Sequence, residues 1–244
     1  MSTSAGVEAM GPRLWHNGAF VRLWFAQVVS NAGTAITGLA LPLTAIMLLS
    51  ANAGQISLLN IARSLPQLLF SLFGGVWVDR TRRQPILVGS DLGRAVLLTA
   101  IPLAALFGFV TFPLLWAVAF AVSTLTVFSS LASISILPAI VRKARLVQAN
   151  STLATTDAVL AIAAPNVAGG LIQLVSAPKA ILADAVSYVV SALTLRRLRA
   201  TETVPQRSRQ RGATWHEIGE GMQELVRTPA LRALTLAVSI GTFG

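Results

Sequence analysis

Six long apolar runs constrain this chain more than any other feature. They fall near 24–49, 54–78, 86–107, 112–138, 150–175 and 177–197. Each is long enough to cross a hydrocarbon core of about 30 Å, which takes about 20 helical residues. A closed β-barrel needs short strands of alternating polarity, and these runs do not alternate. Helices satisfy their own backbone polar groups, as lipid requires. Only 11% of the residues are charged and 54% are hydrophobic, whereas a soluble domain carries about a quarter charged. Too little polar material remains to cover a water-facing surface, so the chain reads as an all-α membrane protein.

The bases set an orientation. Arg13 and Arg22 precede or open the first run. Arg80, Arg82 and Arg83 follow the second, and Arg142, Lys143 and Arg145 follow the fourth. Arg196, Arg197, Arg199, Arg207, Arg209, Arg211, Arg227 and Arg232 follow the sixth, which makes sixteen on one side. The opposite links hold only Lys179. Positive residues stay in the cytoplasm, so the N-terminus is expected there, in a multi-pass protein of the cell membrane. The net charge of +10 therefore does not point to nucleic acid, because the bases occupy the gaps between apolar runs. No apolar signal core opens the chain.

The expected organisation is a cytoplasmic segment over 1–23, a six-helix bundle over 24–197, and a basic cytoplasmic loop over 198–230. In that loop Trp215, Ile218, Met222, Leu225 and Val226 share one helical stripe, suited to the membrane interface. A seventh run over 231–244 is too short to span, so it reads as the cut-off start of a helix. Prolines repeat faintly. Pro42 and Pro66 in runs one and two are matched by Pro138 and Pro165 in runs four and five. Runs one and four cross in opposite directions, and two inverted three-helix repeats are a transporter pattern; proline is also common in membrane helices generally.

The stretch "GGVWVDRTRRQ" (74–84) contains Gly75-x-x-x-Asp79-Arg80-x-x-Arg83 between runs two and three. Any cytoplasmic link is expected to be basic, which accounts for the arginines. It accounts neither for Asp79 at the membrane boundary nor for Gly74 and Gly75, which suit close helix approach. The pattern resembles the signature loop of the major facilitator superfamily. "SNAGTAITGLALPLTA", "ARSLPQLLFSLFGGVWVDR", "RLVQANS" and "ADAVSYVVSAL" are similar to its drug-exporter branch, which includes macrolide and siderophore exporters. Those proteins have two six-helix halves, and this chain matches the first half, the central loop and the start of the seventh helix.

The resemblance implies a secondary exporter of small lipophilic or amphiphilic molecules, working by alternating access and driven by a proton gradient, with no bound cofactor. It implies that Gly75, Asp79, Arg80 and Arg83 gate the cytoplasmic end, with Asp79 meeting the N-terminal dipole of a second-half helix. Two positions depart from the pattern: Arg82 stands where glycine is usual and Gln84 where a base is usual. Helix five reads "AAPNVAGG", with Ala164 in place of a glycine that exporters often carry.

Ionisable residues inside membrane helices usually face a cavity or a partner. Arg63 reads either as a substrate or coupling residue or as half of a structural salt bridge. Asp157 reads as a proton carrier or as an interfacial residue bonded to Thr155 or water. Asp91 and Arg94, three apart, pair on one helix face and are expected to support the loop. Asp184 is expected to pack or pair, because helix six is peripheral in the resembled fold. Gln27, Asn31 and Thr34 form one polar stripe on the first helix, which lines either the central cavity or a helix–helix seam.

His16 and His216 have no partner at metal-ligand spacing, so no metal site is expected. Nothing resembles a nucleophile–base pair, a P-loop or a nucleotide fingerprint, so neither an enzyme nor ATP-driven transport is expected. The expected partners are the lipid membrane, the substrate, and either a missing C-terminal half or a second copy. The rival readings are a non-functional truncated fragment and a half-transporter that works as a homodimer.

Overall fold

The structure, a computed structural model, describes residues 14–198. The expected N-terminal segment up to residue 13, the loop over 198–230 beyond Leu198, and the run over 231–244 lie outside the described residues. Those that are described form helices and short links, with no strand among them. After a 3-10 turn at Leu14–His16 come α1 (Gly18–Leu49), α2 (Ala53–Asp79), α3 (Arg83–Leu106), α4 (Phe112–Ile140), α5 (Leu146–Val175) and α6 (Ala177–Arg196). Five are long and apolar enough to cross a membrane. The sixth, α2, bends by 58° between Ala53–Ser71 and Phe73–Asp79, and makes a further span if the two parts count as one.

α1 and α2 begin earlier than their apolar runs, and polar side chains cap both. Asn17 accepts hydrogen bonds from the Ala19 and Phe20 amides at 3.1 and 3.3 Å and donates to the Ile140 carbonyl at 2.7 Å. That fixes the start of α1 at Gly18 and ties it to the end of α4. Asn52 and Gln55 form a reciprocal capping box at 2.9 and 3.0 Å at the head of α2, which satisfies two orphan amides. The α2–α3 link is only Arg80–Arg82. Arg82 has φ −71° and ψ 127°, ordinary backbone for any residue, so arginine there costs no strain. Ser176 alone separates α5 from α6, at φ 77° and ψ 155°, a region almost confined to glycine.

α6 packs against α1 and α3, α4 against α2 and α3, and α5 against α1. α1 and α4 touch each other only lightly. Two apolar clusters close the two ends. Phe20, Leu23, Val78, Leu87, Ile136 and Leu195 pack at the end bearing the α2–α3 link. Leu41, Leu59, Leu98, Ile101, Leu115 and Ile181 pack at the other. Between them, where α1 and α4 separate, lies a polar layer.

Candidate functional site: two polar cavities between the apolar ends

The polar stripe of α1 organises this layer. Gln27 donates from Nε2 to Ser133 Oγ on α4. Asn31 donates from Nδ2 to Asp157 Oδ1 on α5 at 2.8 Å. Thr34 shares a 2.8 Å hydrogen bond with the Tyr188 hydroxyl on α6. All three line a cavity of about 360 Å³, which Asp157, Asp91 and Arg94 also line. The stripe therefore serves both readings open in the sequence: it forms hydrogen-bond seams and it faces a void. Asp157 is exposed and its partner is Asn31, not Thr155. Trp24 Nε1 donates to Thr156 Oγ1 at 2.9 Å and closes the α1–α5 seam beside it.

Asp91 and Arg94 form the expected ion pair and are both buried. Asp91 Oδ2 also accepts from Ser191 Oγ at 2.5 Å. Arg94 donates to Ser129 Oγ at 3.1 Å and stacks its guanidinium 4.2 Å from the Tyr188 ring centre. The pair thus braces α3 against α4 and α6. That differs from the expectation that it supports the α2–α3 link.

Thr34 also lines a second cavity of about 370 Å³, together with Arg63, Asp184 and Tyr188. Arg63 is half-buried and its Nη1 reaches the Gly38 carbonyl at 3.4 Å. It forms no ion pair among the described residues, so the salt-bridge alternative finds no acid there. Asp184 is buried, with Thr37 Oγ1 donating to it and Ser187 Oγ donating at 3.2 Å. Its helix is not peripheral to the polar layer: the α6 face carrying Asp184 and Tyr188 is part of the cavity wall.

Gly33 makes this α1–α6 approach possible, since a Cβ there would collide with Ser187 and Asp184. The sequence reading missed Tyr188, the chain's single tyrosine. Its signal was the spacing Asp184–Tyr188–Ser191, a second polar stripe facing that of α1.

At the link, Asp79 is the last residue of α2 and accepts from Ser135 Oγ of α4 at 3.1 Å. Arg80 is the C-cap of α2, and Arg83 opens α3. Of the two glycines expected to permit close approach, only Gly74 does so. A Cβ on it would lie 2.8 Å from Leu131 and 3.2 Å from Phe128, whereas one on Gly75 would meet nothing within 4 Å. Gln84 caps α6, donating to the Leu195 and Arg196 carbonyls at 2.9 and 3.2 Å. On α5, Ala164 and Ala168 are buried, while Gly169 and Gly170 face open space, so the alanines carry the close packing.

Comparison with known proteins agrees with this architecture. The chain is 26% identical over 197 residues to the uncharacterized MFS-type transporter YkuC of Bacillus subtilis (strain 168), covering 81% of this chain and 44% of that one. It is 26% identical over 227 residues to macrolide efflux protein A of Streptococcus pyogenes, covering 92% and 55%. The chain thus spans about half the length of these curated relatives. No solved structure gives a significant match. The sequence profile of the Major Facilitator Superfamily matches residues 23–244. With its several membrane-spanning helices around a polar interior, the chain belongs to the Major Facilitator Superfamily.

Proposed function

We propose that this chain supplies the first six-helix bundle of a secondary active exporter, which moves small lipophilic or amphiphilic molecules by alternating access. The observation that carries the reading is the Asn31–Asp157 hydrogen bond across α1 and α5, at the edge of the 360 Å³ cavity. It joins two polar side chains in a cavity that also holds Gln27. In this reading Gln27, Asn31 and Asp157 contact the substrate, and Asp157 is the proton acceptor of a gradient-driven cycle. The export relative supports the direction of transport.

The helix pairing supports two inverted three-helix repeats. Exchanging the first three helices for the last three turns α1–α6 into α4–α3 and α1–α5 into α4–α2, and all four pairs are closely packed. The basic links would face the cytoplasm. Asp79 supports a gating role for the loop by its place. A carboxylate at the C-terminus of its own helix sits at the unfavourable end of the dipole. The N-terminus of a helix from a second bundle would suit it better. Arg80 and Arg83 would pair around that contact, with Gly75 beside it.

The experiment is expression of the complete reading frame in a bacterial host, scored by accumulation of lipophilic dyes and a macrolide. Asn31→Ala and Asp157→Asn should each raise accumulation toward the empty-vector level with unchanged amounts of membrane protein. Wild-type export by well-expressed Asp157→Asn would overturn the assignment of the cavity.

A further inference from the structure

The second cavity holds a charge arrangement that the export reading does not use. Arg63 enters it from α2, and its long 3.4 Å contact with the Gly38 carbonyl is weak for a charged donor. A guanidinium has five N–H donors, and inside a membrane span it is costly unless an opposite charge meets it. Asp184 lines the same cavity but is engaged by Thr37 and Ser187. The close α1–α6 approach at Gly33 holds it there. Asn60, Ser64 and Ser123 complete the polar wall near Arg63. Ser123 donates to the Arg63 carbonyl, which fixes the α2 backbone against α4 at the point from which the guanidinium projects.

The planar fork of arginine matches a carboxylate in bidentate fashion. We propose that this cavity is a binding subsite for the carboxylate of a small organic anion, with Arg63 as its anchor and Asp184 as a fixed opposing charge that limits its affinity. At about 370 Å³ it has room for an acid the size of benzoate. The subsite is distinct from the first cavity, with which it shares only Thr34 and Thr126 among the described lining residues. Binding is measured without transport, so this inference and the export reading can fail independently.

The test is calorimetric titration of benzoate into residues 1–244 in lipid nanodiscs, with the neutral isostere benzamide as control. The wild type should bind benzoate saturably and benzamide not at all. Arg63→Gln should weaken binding about tenfold, the worth of one charge-assisted contact. Arg63→Lys, which keeps the charge but loses the fork, should fall between the two. Asp184→Asn should bind benzoate severalfold more tightly, because the opposing charge is gone. Melting temperature and gel filtration show whether each variant folds, and Arg63→Lys carries the test where Arg63→Gln does not fold. Four results would overturn the proposal: no saturable binding by the wild type, equal binding of benzamide, wild-type affinity in the folded Arg63 variant, or loss of binding in Asp184→Asn.

Discussion

Asp91 and Arg94 show how a membrane interior keeps charge. Each is buried, each is neutralised by the other, and Ser191, Ser129 and the Tyr188 ring take up the remaining valences. Removing one member leaves the other unpaired, which costs about 3–5 kcal/mol in a buried pair. Removing both leaves no orphan charge. Arg94→Ala is therefore expected to lower the unfolding midpoint in detergent far more than the double change Asp91→Ala/Arg94→Ala does relative to it. Purely additive losses would deny the coupling. The pair was legible from its spacing, because residues three apart on a helix must meet. Its other partners were not, since no local pattern says that α4 and α6 present Ser129 and Ser191 at that height. The same limit held for Asp157. Its cost in the membrane was readable, and its bond to Asn31, 126 positions away, was not.

At the scale of elements, the helices were legible because twenty-residue apolar runs admit no other structure in lipid. Their ends were not, because apolarity stops where the hydrocarbon stops and the helix does not. α1 begins at Asn17's cap, α3 at Arg83 and α5 at Leu146, all in polar sequence. The glycines divide along the same line. Composition marked Gly74 and Gly75 alike, but pairing with α4 makes only Gly74 tight, and at Gly33 a Cβ would collide with Ser187 and Asp184 of α6. Gly33→Ala should cost about 1–3 kcal/mol by overpacking, seen as a lower melting temperature. Gly75→Ala should leave the melting temperature unchanged or raise it, since alanine favours the helix. A destabilised Gly75→Ala with a tolerant Gly33→Ala would reverse the described α1–α6 packing.

At the scale of the whole molecule, the bundle exposes Leu68, Leu69, Phe73 and Trp77 of α2 and Val159, Ile162 and Val167 of α5. These faces are fit for lipid or for a second bundle. The proposed orientation is checked with single cysteines, because the chain has none of its own. Thr81→Cys, in the α2–α3 link, should be protected from an impermeant thiol reagent in intact cells, and Ala53→Cys, at the head of α2, should be labelled. The opposite pattern would invert the topology. The central claim is that one such bundle is half of a rocking pair, since alternating access needs two bundles around one site. Its most direct test is reconstitution of residues 1–244 alone in liposomes, with a proton gradient and lipophilic dyes. The expected result is no gradient-driven dye movement. Dye movement that requires the gradient and is lost in Asp79→Asn would contradict the claim and favour a homodimeric half-transporter instead.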